Sequence, residues 1–219
     1  MAISQAKKLE LIAKHAKKFT TKSEATPVLQ GVHYSSDGSV VATDRHTLIR
    51  IRGTHNFTEE FTSHAKTGAT IEGRYPDTSR IIPMDSPSQI TLIRAGIKRD
   101  DIKDAIARMK LAVDVAKAVG DKTNIATLKY SGSTVMLSVS SATPEVSFVA
   151  GISAEISGLD AEVSFNAEYM LNALNVFKDA GSNRVVVGIT GAMSPIVLRD
   201  EDNDIDVVVL PYRVSKEVA

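Results

Sequence analysis

The order of elements in residues 89–214 constrains this chain most. It reads strand, helix, three strands, and then the same order again. A strand at 90–95 precedes a long helix at 97–119. Ile102, Ala105, Ile106, Met109, Val113 and Ala116 fall on one face at helical spacing, and Gly120 closes the helix. Strands follow at 124–130, 134–140 and 145–151. A strand at 162–165 then leads to Asn166, a helix N-cap, with Glu168 in the first turn and Met170, Ala173, Leu174 and Phe177 as the stripe. Strands at 184–190, 194–199 and 205–210 complete the second round. No identity links the two halves; only the order repeats. Helices and sheets each have an apolar face to hide. A doubled unit of this kind therefore predicts a compact α+β domain with sheets on one side and two helices on the other.

Residues 3–52 read as one more such unit without its leading strand. Ile3, Ala6, Leu9, Ile12, Ala13, Ala16 and Phe19 recur at helical spacing, so 3–18 is expected to be an amphipathic helix with lysines outside. Strands are expected at 28–34, 39–43 and 46–52, joined by the Ser35-Ser36-Asp37-Gly38 hairpin turn and by Asp44-Arg45. Residues 53–73 look irregular, with a short helix at 59–66. Pro83 and Pro87 bracket the best linker, which divides the chain into an abridged domain, 1–86, and a complete one, 87–219.

The tail carries a second signal. Val207, Val208, Val209 and Leu210 form an apolar strand whose ladder stops at Pro211, which has no N–H to donate. Leu210, Pro211 and Tyr212 then offer apolar side chains near a surface, as a docking groove would.

Composition narrows the function. The 219 residues contain no Cys, which excludes disulfides, thiolate metal sites and Cys nucleophiles and fits a reducing cytosol. No apolar run approaches the ~20 residues of a membrane span, and the N-terminus has no signal-peptide core. A cytoplasmic protein with no membrane partner is expected. The net charge is +0, yet Lys7, Lys8, Lys14, Lys17 and Lys18 face a single acid, Glu10, in the first helix. Asp200, Glu201, Asp202, Asp204 and Asp206 gather near the other end. A cationic helix suits phosphate, whose contacts need charge and carry no sequence information. Lys103, Arg108, Lys110 and Lys117 extend this to the second helix, diluted by Asp100, Asp101, Asp104 and Asp114. A solvated helix face or a membrane-surface helix would look the same.

Enzyme signals are absent. Asp44 and His46 suggest an acid–base or metal pair, but no third ligand follows at a recognisable spacing, and His15, His33, His55 and His64 are scattered. Phosphate-binding loops, nucleophile elbows and paired-histidine metal motifs are missing. Ser131-Gly132-Ser133 reads as a hairpin turn. No catalytic residue, metal or cofactor is expected.

Several segments, in order, resemble one family. Val41-Ala42-Thr43-Asp44-Arg45-His46-Thr47-Leu48 is similar to the V-A-T-D-G-H-R-L segment of bacterial sliding clamps, the beta subunit of DNA polymerase III. Arg74-Tyr75-Pro76-Asp77-Thr78-Ser79-Arg80-Ile81-Ile82-Pro83 resembles its R-F-P-D-Y-x-R-V-(L/I)-P, and Phe165-Asn166-Ala167-Glu168-Tyr169-Met170-Leu171 its F-N-x-x-Y-(L/V)-L. Gly191-Ala192-Met193-Ser194-Pro195-Ile196 falls where the family has its S-P hairpin, and Val208-Val209-Leu210-Pro211-Tyr212-Arg213-Val214 resembles its closing V-V-M-P-M-R-L.

The resemblance implies a DNA clamp fold of repeated β-α-β-β-β units, with sheets outside and helices lining a central hole. It implies a processivity factor that encircles duplex DNA without reading sequence and tethers a DNA polymerase through a peptide-binding groove. By position, the groove wall would be Thr43, Arg45, His46, Leu48, Pro83, Val208, Val209, Leu210, Pro211 and Tyr212. The cationic residues of the first two helices would face DNA. A clamp loader and a homo-oligomer are implied, a trimer if two domains per chain build a six-domain ring. The short chain hints at a phage-like origin. Two features depart from the family. Residues 53–73 replace a longer segment, and Arg45 and Tyr212 enlarge positions held by glycine and methionine. The alternative is a clamp-derived module that forms no ring and binds or competes for clamp-binding peptides.

Overall fold

Each of three helix-bearing units places its helix on the same side of a sheet. In the computed structural model, which describes residues 2–78, 81–82, 93–120, 123–142 and 145–213, the first unit is α1 (Gln5–His15) with β1 (Gly31–Tyr34), β2 (Val40–Thr43) and β3 (Thr47–Ile51). Two short strands follow, β4 (Phe61–His64) and β5 (Thr70–Ile71). The second unit is β6 (Ile93–Lys98), α2 (Arg99–Ala118), β7 (Ile125–Ser131), β8 (Thr134–Ala142) and β9 (Glu145–Ile152). After β10 (Glu155–Gly158), the third is β11 (Ala161–Asn166), α3 (Ala167–Ala180), β12 (Arg184–Ile189), β13 (Ile196–Asp200) and β14 (Ile205–Val209). The proposed linker and Pro83 lie outside the described residues.

The strands form two sheets. Ten run in the order β10-β6-β12-β13-β14-β3-β2-β1-β4-β5, and four in the order β11-β7-β8-β9. The second and third units exchange their leading strands: β6 pairs with β12, and β11 with β7. The first part joins the rest through the antiparallel pair β3–β14, Thr47 opposite Val209 and Ile51 opposite Ile205. The sheet thus runs unbroken from one half of the chain to the other.

Alternation along these strands sorts the core. Val40, Ala42, Ile49, Ile51, Val207 and Val209 point to the helices and join the main core. Val41, Leu48, Val197 and Val208 point the opposite way. They form a second cluster with Leu29, Tyr75 and Ile82. On the helix side, α3 lies between α1 and α2 and packs on both.

Three expectations are corrected. The segment expected as a helix at 59–66 is strand β4, because Phe61–His64 pairs with β1. The buried face of α1 is Lys8, Leu11, Ile12 and His15, while Ala6, Leu9 and Ala13 point outward. Partners explain the two polar members: Lys8 Nζ donates to Arg52 O (2.8 Å) and pairs with Asp204, and His15 Nε2 lies 2.9 Å from Asp179 Oδ2. Finally, the acids at 200–206 do not all lie on the surface: Glu201 and Asp202 are exposed and Asp204 is half-buried, but two of the five are withdrawn. Asp200 is buried and accepts from Asn203, and Asp206, fully buried, accepts from Arg50, Arg52 and Arg199.

Candidate functional site: a groove at the junction

The β2–β3 turn is built by one carboxylate. Asp44 Oδ1 accepts from His46 N (2.9 Å), Thr47 N (2.6 Å) and Thr47 Oγ1 (2.9 Å). Arg45 is thereby held at φ 76°, the left-handed region that favours glycine. Asp44 is spent on the turn, and His46 stacks on Tyr169 instead, with ring centroids 6.1 Å apart. The two do not form an acid–base pair. Among the described residues no group of three His, Asp or Glu could hold a metal ion.

Below the turn the outward-facing residues run in two rows. Thr43, Leu48, Val208 and Val197 are register neighbours across β2, β3, β14 and β13, and make an apolar floor. The next row holds Val41, Arg50, Asp206 and Arg199, so a charged cluster lies directly beside the apolar one. Tyr75 closes the floor on one side. Its buried hydroxyl oxygen accepts from Thr43 N at 3.0 Å, and burial pushes its pKa up.

A cavity of about 330 Å³ opens over this floor, lined by Thr43, Arg45, His46, Thr47, Leu48, Ile81, Thr190, Ser194, Pro195, Val208 and Leu210. The junction therefore brings together six of the ten groove residues named from the sequence. Val209 does not line it, because strand alternation turns its side chain into the main core. Pro211 and Tyr212 run on instead along β11: Pro211 bridges to Phe165, and Tyr212 N donates to Ser164 O at 2.7 Å. Thr190, Ser194 and Pro195 come from the β12–β13 loop, and Tyr169 reaches His46 from α3. The Ser-Pro and Asn-x-x-Tyr segments were visible in the sequence, but nothing in it placed them against the turn.

The helix face is less basic than the sequence count suggested. Lys8 points inward, Lys7 pairs with Glu10, and Lys14 pairs with Asp179 across the α1–α3 contact. Arg108 pairs with Asp104 and reaches the carbonyl of Gly151, and Lys117 lies 3.6 Å from Glu168. Lys17, Lys18, Lys103 and Lys110 are exposed. Lys103, Lys110 and Lys117 recur every seventh residue and mark one stripe along α2. Lys178 on α3 is an exposed cation that the sequence reading did not select.

Fold and groove together define a class: a repeated α+β shell with helices on one face and a peptide-sized apolar cavity on the other. The comparisons make the class specific. Residues 79–213 match the family model for the DNA polymerase III beta subunit, C-terminal domain, and the chain belongs to that family. It is 32% identical over 146 residues to the beta sliding clamp of Staphylococcus epidermidis, covering 65% of this chain and 35% of that protein. With the beta sliding clamp of Streptococcus pneumoniae the match is 24% over 258 residues, 97% of this chain and 64% of that one. The chain thus spans between about a third and two thirds of these relatives. The structure of the S. pneumoniae DNA polymerase III beta chain superposes with a TM-score of 0.77 at 19% identity, covering 98% of this chain and 64% of that one. The Bacillus subtilis sliding clamp gives 0.74 at 22%, over 94% and 62%.

Proposed function

We propose that this chain is a sliding-clamp processivity factor. It holds duplex DNA against its helix face without reading sequence and tethers a DNA polymerase by a short peptide seated in the β3–β14 groove. The apolar cavity with its polar lip of Thr43, Thr47 and His46 carries this reading, being the anatomy of a peptide pocket. No turnover is involved: processivity comes from topology and from a raised local concentration of polymerase. A clamp-loading ATPase would open a closed assembly. Three chains supply six domains only if the first part counts as a whole domain, and among the described residues it brings one long helix, α1.

That single helix favours a second reading, a clamp-derived module that binds clamp-binding peptides without closing a ring. One measurement tests the groove that both readings share, and a second separates them. A labelled peptide from a polymerase tail is titrated against wild type and Leu210→Asp. Leu210 is half-buried at the cavity wall, and a carboxylate there should weaken binding by roughly tenfold or more. Unchanged affinity removes the groove from the proposal. Retention on nicked circular DNA that is lost on linearisation supports encirclement; equal retention on both forms supports the second reading.

A further inference from the structure

We propose that Arg45 makes the groove selective for a peptide that carries a carboxylate beside its apolar anchor. The inference rests on the groove reading above and names the class of ligand within it. Among the described residues eleven line the cavity, and Arg45 is the only Lys or Arg of the set; no Asp or Glu is present to oppose it. The guanidinium is also uncommitted. Arg50, Arg52, Arg108, Arg184 and Arg199 each hold a carboxylate. Among the described residues the Arg45 side chain has no hydrogen bond or ion pair, and only its backbone N–H is engaged, donating to Thr43 Oγ1 at 3.2 Å. Asp44, its neighbour in sequence, serves the turn instead: Oδ1 accepts from His46 N, Thr47 N and Thr47 Oγ1.

The backbone marks the same residue. The turn holds Arg45 at φ 76°, a region that penalises a long side chain and costs glycine nothing. A residue kept there with an exposed, unpaired side chain adds nothing to the stability of the fold, and such outliers gather at ligand sites. The segment that this turn resembles has glycine at the position, so the cation belongs to this chain.

The rest of the lip offers donors. The half-buried hydroxyls of Thr190 and Ser194 make no hydrogen bond among the described residues. Those of Thr43 and Thr47 are spent inside the turn, on Thr47 O at 2.7 Å and Asp44 Oδ1 at 2.9 Å. A ligand therefore meets one fixed cation and free hydroxyls above an apolar floor of Leu48 and Val208. An apolar side chain fills that floor, and a phosphodiester backbone has nothing to fill it with. A carboxylate takes the planar guanidinium by two parallel hydrogen bonds. A seated peptide also excludes water from the pair, which strengthens it. Either an Asp or Glu side chain or a free C-terminus supplies this chemistry.

The test uses the full chain and three labelled peptides that share an anchor of adjacent leucines. One has aspartate beside the anchor, one has asparagine there, and one has the aspartate with an amidated C-terminus. Wild type should bind the aspartate form about tenfold more tightly than the asparagine form at low salt, and added NaCl should shrink the difference. A loss of that size on amidation instead supports the same pairing with the chain terminus as its source. Arg45→Gly, which relieves the strained turn, should bind all three within about twofold of one another. Arg45→Glu should prefer a peptide with lysine in place of the aspartate. Equal wild-type affinities for the three peptides, or discrimination that survives Arg45→Gly, would overturn the proposal and leave the groove standing. Failure of every peptide to bind would remove the groove and the proposal together. Displacement of the aspartate peptide by single-stranded DNA as readily as by unlabelled peptide would show that the cation takes phosphate, and would overturn it as well.

Discussion

Replacing Asp206 by alanine tests what holds the two halves of the chain together. The Asp206 side chain is 0% exposed and accepts from Arg50 Nη2 at 2.8 Å, Arg52 Nη1 at 2.9 Å and Arg199 Nε at 2.7 Å. Arg50 and Arg52 lie on or just past β3 and Arg199 on β13, so one carboxylate ties three strands across the β3–β14 junction. Removing one partner of a buried pair costs about 3–5 kcal/mol, because the remaining charge stays desolvated. Here the arginine side chains keep 14–29% of their surface in water. That lets them recover part of their hydration, so the cost should lie near the lower end, about 3 kcal/mol. For a chain of this size that corresponds to a fall in Tm of roughly 6–12 °C. Asp206→Asn keeps the shape and one acceptor oxygen and should fall between wild type and Asp206→Ala. Urea unfolding should show a lower midpoint at unchanged slope. A loss below about 1 kcal/mol for Asp206→Ala would refute the reasoning, since that is the worth of an exposed ion pair.

Two further outcomes are expected. Burial holds the His15 pKa below 6.5 despite Asp179, with Lys14 and Lys18 adding to the depression. The unfolded chain therefore binds the proton first, and stability should fall as pH drops below about 6.5 towards the folded-state value. His15→Gln should flatten that slope in urea melts between about pH 7.5 and 5.5; identical slopes would count against it. His33, also depressed by burial, contributes in the same direction. At Arg45, held at φ 76°, glycine should be nearly neutral, because relief of strain offsets added chain entropy. Arg45→Val should cost about 1–2 kcal/mol more than Arg45→Gly in thermal unfolding. Equal stabilities would mean that the turn relaxes.

Much of the fold was legible in the sequence, and for local reasons. The 3.6 period of α2 and α3, the Asn166 cap and the runs of β-branched residues depend on neighbours a few positions away. The errors share one cause. Lys8 was expected on the outer face and His15 was left out of the apolar stripe because their partners, Arg52, Asp204 and Asp179, are distant in sequence. Asp206 looked like part of a charged surface for the same reason: it is neutralised by arginines from two other strands. Phe61–His64 was ambiguous in four residues, and pairing with β1 settled it.

The groove shows the same division. Through the family resemblance the sequence pointed to two of the segments that line it, the Thr43–Leu48 turn and the apolar tail, but it did not place the Ser-Pro loop there. It also determined that Val207–Val209 would be a buried strand, since three successive valines have no better place. Only the tertiary structure decided that Val208 faces the cavity while Val209 faces the helices, that Tyr169 stacks on His46, and that the tail past Leu210 follows β11. Strand register made those choices. A register is a relation between two strands far apart in the chain, and shifting it by one residue would turn every one of these side chains to the other face.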